Sequence, residues 1–361
     1  MPVIDDRGFP AAERATTNDM SNFLAPNVSP QTKPARPWLV ADIGGTNARF
    51  GWLAPSSVQV QHVQTLPTAG HAGLAEAAVE YLRRLGQSLG SAYLEPRAAA
   101  FAVATAVGLD QISFTNNGWS FSREATRQAL ALDELLILND FEALALSLPH
   151  LREDQVRSIG PVRQGAPAGA MAVIGPGTGL GVAGIVASGS GWVAVPGEGG
   201  HASLSAANDY EAALLAAVHQ DYEHVSAERL LSGIGLPVLH CAVARVEGRA
   251  LASLLTTENI VERGMLSQDE GCSRTLDAFC ALLGSFAGNV ALILGARGGV
   301  YIGGGIVPRL GDRFLASEFR NRFEAKGRFN DYLRAIPTML ITDTLVALSG
   351  AQVALEQREP L

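Results

Sequence analysis

Residues Trp38 to Leu53, WLVADIGGTNARFGWL, join two apolar runs through a turn that carries an acid, two glycines, a threonine and an asparagine. Trp38, Leu39, Val40 and Ala41 lead to Asp42 and Ile43, the turn runs through Gly44, Gly45, Thr46 and Asn47, and a second run extends from Ala48 to Leu53. The spacing predicts a β-hairpin whose glycines can take positive φ. Such a turn gathers backbone N–H groups and a hydroxyl into one concavity, which suits an anion such as phosphate. A carboxylate at Asp42 beside that concavity makes chemical sense when a divalent cation lies between acid and phosphate. Taken alone, the stretch reads first as an ordinary hairpin with a capping acid.

The rest of the chain narrows the choice. There is no G-x-x-x-x-G-K-[ST] loop, and the two lysines are Lys33 and Lys326, which excludes P-loop enzymes and protein kinases. A nucleotide bound here would be held by backbone N–H groups, threonine hydroxyls and Mg²⁺. A formal net charge of −8 argues against nucleic acid or an anionic membrane as the main partner. Cys241, Cys272 and Cys280 form no C-x-x-C pair, pointing to a reducing cytoplasm, and the histidines show no H-E-x-x-H spacing for zinc. Met1 to Pro37, with six prolines and no hydrophobic periodicity, reads as a disordered or loosely attached extension; it has no signal-peptide core, and no stretch of the chain reads as a membrane span.

Beyond the hairpin, strands are expected over Val58–Leu66, Ala98–Val107 and Leu135–Leu138, with helices over Gly73–Leu89, around Glu124–Ala131 and after Asp140. A polar segment, Ser113–Trp119, separates two of them. A loop rich in Gly, Pro and Ala, Gly160–Ala170, ends this unit, and Met171–Val186 restarts the pattern with strand, glycine turn and strand. A turn at Gly189–Gly191 and the strand WVAVP follow. Helices are expected at Asp209–Gln220, Ala227–Leu231, Val238–Ala244 and Ser273–Leu292, then a strand over Val300–Gly305 followed by a Pro-started helix, a strand over Pro337–Thr342 and a helix over Leu345–Gln357. Two units of one pattern imply two α/β domains with a ligand cleft between them.

Several motifs compete for that cleft. GLGVAG, Gly179–Gly184, has dinucleotide-fingerprint spacing, but a hairpin follows instead of the required helix. GQSLG around Ser88 has nucleophile-elbow spacing, but an amphipathic helix precedes it, so it reads as a helix C-terminus. The turn GPGTGLG places Thr178 between Gly177 and Gly179, and two such hairpins can grip one polyphosphate from both sides. Asn139 and Asp140 lie where a buried strand becomes a helix; capping-box spacing with Glu142 and a cleft-facing general base at Asp140 are both open readings. Glu198 and His201 sit in the glycine-rich turn PGEGGH, and Glu228 is expected in the first turn of a helix.

Taken together, DIGGTNARF, TNNGW, LNDFEA, GPGTGLG, PGEGGH, SAERLLSG and IGGGIVPR resemble, in order, the motifs of the bacterial glucokinase family, from about Trp38 to the C-terminus. That resemblance implies an α/β, two-domain actin-like ATPase (ribonuclease H-like) fold: small domain 38–150 plus 343–361, large domain 151–342. It implies transfer of the γ-phosphoryl group of ATP to the 6-hydroxyl of D-glucose, with Mg²⁺. Asp140 resembles the family's catalytic base, with Asn139, Glu198, His201 and Glu228 on the sugar. Asp42, Ile43, Gly44, Gly45, Thr46 and Asn47 resemble the first phosphate loop, Gly177, Thr178 and Gly179 the second, and Gly303, Gly304 and Gly305 the glycines near adenosine. Asp42 would reach Mg²⁺ through water. A homodimer and closure about 140–150 and 340–345 are further expectations. Ala106 and Leu109 depart from the pattern, standing where proline and glycine are usual. A kinase for another hexose, a non-catalytic sugar-binding regulator and an actin-like ATPase without sugar specificity are the alternatives.

Overall fold

The computed structural model describes residues 36–55, 57–105, 107–108, 110–114, 118–161, 169–189, 191–250 and 253–358. Most of the expected N-terminal extension, the first three residues of TNNGW, most of the 160–170 loop, and the departures at Ala106 and Leu109 therefore lie outside the described residues.

The first half builds β1 (Trp38–Ile43), β2 (Asn47–Leu53), β3 (Gln61–Pro67), α1 (Leu74–Leu89), β4 (Ala98–Val103), β5 (Gln111–Ser113), β6 (Ser120–Ser122), α2 (Arg123–Ala129), β7 (Glu134–Asn139) and α3 (Asp140–Ser147). Its five-stranded sheet has the order β3-β2-β1-β4-β7, antiparallel through β1 and parallel from β1 to β7. The apolar runs at β1 and β4 are buried on both faces, as parallel strands in a covered sheet require. Ser88 lies in the last turn of α1. The polar segment Ser113–Trp119 is flanked by the short antiparallel strands β5 and β6, and Phe121 of β6 packs with Phe114 and Trp119 under the first sheet.

The second half repeats the plan with β8 (Val156–Ser158), β9 (Met171–Pro176), β10 (Leu180–Ser188), β11 (Gly191–Gly197), α4 (Asp209–His219), α5 (Leu236–Val246), α6 (Thr257–Met265) and α7 (Glu270–Leu294). There follow β12 (Gly299–Ile302), α8 (Val307–Leu315), α9 (Phe319–Glu324), α10 (Asn330–Ala335), β13 (Thr338–Ile341) and α11 (Val346–Glu356). Its sheet order, β11-β10-β9-β12-β13-β8, starts with the same sequence of antiparallel and parallel pairings as the first sheet. The GLGVAG stretch forms part of the β10 hairpin, which is why no dinucleotide helix follows it.

Three apolar clusters tie these parts together: one under each sheet, and one between the sheets where α3 and α11 pack against Val40 on one side and Val173 and Ile185 on the other. Gly350 permits the close approach of α11 to α3, because a Cβ there would collide with the carbonyl oxygen of Ala143. The two chain crossings between sheets meet at Gln155. Its side-chain amide donates to Asp343 at 2.7 Å, and its carbonyl accepts the N–H of Thr342 at 2.9 Å.

Helix α7 is, among the described residues, the one helix long and apolar enough to cross a membrane, yet 72% of its most apolar window is buried inside the protein. Lys326 caps this packing: its ammonium donates to Ser285 O at 2.9 Å and Asn289 Oδ1 at 2.7 Å, both on α7, and burial holds its pKa below the usual lysine value.

One expected element is absent. Ala227–Leu231 is a series of turns, not a helix. Ala227 and Glu228 direct their N–H groups to Ala202 O and Gly200 O, pairing this segment with the PGEGGH turn. A single helical turn remains, in which Leu231 N–H donates to Ala227 O at 2.8 Å.

Candidate active site

Parallel strands β1, β4 and β7 carry their C-terminal ends to one edge of the first sheet. Asp42 aligns with Ala102 on β4, which aligns with Leu138 on β7, and Asp140 follows two residues later. Two strand spacings, about 10 Å, therefore separate the strands that supply the two acids. The C-terminal edge of parallel strands is where α/β folds place ligand chemistry.

The first turn closes with Gly44 N–H donating to Asn47 O at 2.9 Å. Gly44 does not adopt positive φ, contrary to the expectation for the turn glycines, and its Cβ position lies 3.6 Å from Asn47 O, an ordinary contact. Sterics within the protein thus leave this position open, and Thr46 and Asn47 beside it are exposed while Ile43 is fully buried. Thr68 braces the turn from behind: its N–H donates to Thr46 O and its hydroxyl to Gly45 O, each at 2.9 Å. Asp42 pairs with Arg49, directly opposite on β2, at 3.1 Å. Burial pushes the Asp42 carboxyl above its usual pKa, and the guanidinium only partly offsets this.

The second turn closes with Gly177 N–H donating to Gly179 O at 2.9 Å, leaving Thr178 exposed at its tip. Gly233 N–H donates to Gly177 O at 2.7 Å, so the loop after Glu228 supports this hairpin as Thr68 supports the first. Gly304, at the end of β12, needs its positive φ and its missing Cβ, which would strike Pro176 O. Gly303 and Gly305 flank it, the latter with open space at its Cβ position. The glycine run after β12 therefore lies against the strand that leads into the Thr178 turn.

Asn139 caps α3, with Oδ1 accepting Phe141 N–H at 2.9 Å and Nδ2 donating to Thr105 O at 3.2 Å. Capping leaves Asn139 one amide hydrogen and one lone pair in hand. Asp140 Oδ1 accepts the same Phe141 N–H at 3.0 Å. Burial first, then the neighbouring charge of Asp42 and more weakly that of Glu198, raises the Asp140 carboxyl to a pKa of about 7. The Asp140 carboxyl thus titrates near neutrality among like charges, the condition that suits a general base.

Glu198 is exposed at the start of a short 3-10 turn that ends at His201. Glu228 Oε2 accepts Leu180 N–H at 2.8 Å, and its Oε1 lies 3.9 Å from His201 Nε2. Glu228 is not an acid placed for a helix dipole. It bridges the PGEGGH turn and the second glycine hairpin. The described residues thus bring Glu228, His201 and the Thr178 hairpin together, and set Asp140 within electrostatic reach of Asp42 and Glu198. Arg49 and Thr68 were not singled out from the sequence. Arg49 was findable, because closing the hairpin at Gly44–Asn47 puts it opposite Asp42; Thr68 carries no local signal.

Two sheets that begin with the same order of pairings, each opening on a glycine-turned hairpin, have the architecture of the two-domain actin-like ATPase fold to which sugar kinases belong. The glucokinase from an Antarctic psychrotroph shares this architecture, with a TM-score of 0.80 at 37% identity over 89% of this chain and 99% of that one. The chain belongs to the glucokinase family, whose model, described as Glucokinase, matches residues 39–358. It is 48% identical over 322 residues to the glucokinase of Aromatoleum aromaticum, covering 89% of this chain and 95% of that protein. It is 44% identical over 331 residues to the glucokinase of Neisseria meningitidis, covering 91% and 97% respectively. The protein is an ATP-dependent hexose kinase.

Proposed function

We propose that the protein transfers the γ-phosphoryl group of ATP to the 6-hydroxyl of D-glucose, with Asp140 as the general base. The observation that carries this reading is the Asp140 carboxylate at the sheet edge, half-buried, held by Phe141 N–H and poised near neutral pH. Asp140 accepts the O6 proton as O6 forms its bond to the γ-phosphorus, the bond from that phosphorus to the β,γ-bridging oxygen breaks, and ADP departs. The transition state is loose, so catalysis rests on alignment and charge neutralisation. Asn139, Glu198, His201 and Glu228 bind the other sugar hydroxyls, with the carboxylates accepting and the amide fixing register.

Gly44, Gly45, Thr46 and Asn47 on one side, and Gly177, Thr178 and Gly179 on the other, hold the phosphates, while Gly303, Gly304 and Gly305 approach the adenosine. No three His, Cys, Asp or Glu side chains among the described residues could cage a metal. Nevertheless the charges of Asp42 and Glu198 both bear on Asp140, and Arg49 is the cation paired with Asp42. That surplus of negative charge fits a divalent cation carried in on the triphosphate, and Asp42 would hold Mg²⁺ through water. Mg²⁺ would neutralise charge on the transferred group.

The cleft closes as segments 38–150 and 343–361 rotate as one body against 151–342, about the crossings near 140–150 and 340–345. Closure excludes water and limits ATP hydrolysis. The protein acts in the cytoplasm, consistent with three free cysteines, and as a homodimer; sedimentation equilibrium tests the latter. The central test is sugar-dependent ADP release over a panel of hexoses with wild type and Asp140→Ala. Glucose supports turnover, and the variant loses several orders of magnitude. Equal activity in both proteins removes Asp140 as the base, and turnover independent of sugar removes the glucose assignment.

A further inference from the structure

We propose that Phe141 is a positioning residue that couples the base and sugar side of the cleft to the second phosphate hairpin, so that occupancy of one sets the geometry of the other. The inference rests on the assignment of Asp140 and of the Gly177–Gly179 turn given above.

Phe141 is fixed at both ends. Its backbone N–H is shared between Asn139 Oδ1 at 2.9 Å and Asp140 Oδ1 at 3.0 Å, so its main chain orients both side chains at the head of α3. Its ring lies across the stem of the β9–β10 hairpin. Gly175 and Gly181 are cross-strand partners in that stem, and a Cβ at either would overlap the Phe141 ring. Two facing glycines give a bare strip of backbone two residues below the turn that carries Thr178. A flat ring fills that strip where any other paired residues would hold it away.

Contacts continue outward from the strip. The Cβ position of Gly175 lies 3.3 Å from Gly304 N, so the ring and the β12 glycine run meet over the same residue of the strand. One helical turn on from Phe141, Leu144 reaches to 3.2 Å from the Cβ position of Gly303. Nearer the turn, Glu228 accepts the N–H of Leu180, next to Gly181. Residues of the sugar side thus hold the hairpin at two points: a carboxylate on its backbone and a ring on its stem. A shift of α3 that brings Asp140 onto a hydroxyl must carry the ring and hence the Thr178 turn with it, since close-packed groups transmit displacement.

A purely structural ring and a coupling ring differ in one measurable quantity: the factor by which glucose changes affinity for nucleotide. This is a binding quantity, and linkage makes it reciprocal. It is measured by calorimetry with a non-hydrolysable ATP analogue plus Mg²⁺, with and without glucose, for wild type, Phe141→Leu and Phe141→Ala. Binary glucose affinity stays within roughly threefold of wild type. The coupling factor, on the order of tenfold in wild type, falls towards one in Phe141→Ala and is partly kept in Phe141→Leu.

The Gly181→Ala variant, which pushes the ring off the strip, lowers the coupling factor in the native background and has little effect in Phe141→Leu. An unchanged coupling factor in Phe141→Ala or Phe141→Leu overturns the proposal, as does an equal loss of glucose and nucleotide affinity with the factor preserved. Because these are binding measurements, they stand apart from Asp140→Ala turnover: a failed base assignment shows in turnover, and a failed coupling role shows here.

Discussion

Replacing Asp140 by Asn should abolish turnover and at the same time make the folded protein more stable at alkaline pH. The carboxyl has a pKa of about 7 in the fold against 3.8 for an unperturbed aspartate, with burial the largest cause and the Asp42 charge the second. A folded pKa above the unfolded one means that the native state binds the proton more tightly. The associated stability is fully present below the unfolded pKa and is lost as pH rises through the folded one. With these two pKa values, the carboxyl lowers stability by about 2 kcal/mol at pH 5, where chiefly the unfolded chain is ionised, and by about 4 kcal/mol at pH 8, where both states are. Asn has the same shape, keeps an oxygen to accept Phe141 N–H, and never ionises.

Urea unfolding of ligand-free wild type and Asp140→Asn at pH 5 and pH 8 reads the difference directly. The variant is the more stable protein at both values, and its margin grows by about 2 to 3 kcal/mol from pH 5 to pH 8. A margin that does not change with pH, or a variant less stable than wild type at pH 8, refutes the placement of an ionised carboxylate in this half-buried, acid-flanked site. The same titration in wild type gives kcat/KM for glucose a rising limb centred near pH 7, with the value at pH 6 about a tenth of its plateau.

Three further outcomes follow from particular contacts. Asp42→Ala lowers kcat/KM for MgATP by at least about a hundredfold and leaves binary glucose affinity, read by calorimetry, within roughly threefold; equal loss of both would make Asp42 a structural cap. Thr68→Val removes the hydroxyl bond to Gly45 O but keeps the backbone bond to Thr46 O, so it costs about 1 kcal/mol in urea unfolding and raises KM for ATP severalfold. Gly350→Ala forces α11 away from the Ala143 carbonyl and costs about 1 to 3 kcal/mol, read as a lower urea midpoint.

The legible parts of this fold are those written in local pattern. Apolar runs at β1, β4, β7 and β9 are long enough and flanked sharply enough to be strands. The two glycine hairpins announce themselves because no helix period follows either. Asp140 was visible at a strand-to-helix junction, but its charged neighbours, Asp42 on β1 and Glu198 in the PGEGGH turn, are brought to it only by the folded chain. The Ala227–Leu231 segment reads as helix by composition, yet tertiary pairing of its N–H groups with Gly200 and Ala202 outweighs that weak preference. Phe141 looked like one more apolar position of a helix. Its role depends on two glycines more than thirty residues away facing each other across a hairpin, a relation that spacing along one element does not encode.

The near absence of lysine has a chemical consequence outside catalysis. Of the chain's two primary amines on side chains, Lys33 lies before the first strand, and Lys326 is turned inward with its nitrogen bonded to α7. Guanidinium groups do not acylate at neutral pH, since they stay protonated. Among the described residues the proposed phosphate-binding cleft therefore offers no side-chain amine to acetyl donors, acyl phosphates or amine-directed probes, and the acyl-transfer chemistry that adjusts lysine-dependent nucleotide sites finds no lysine of those residues to modify there.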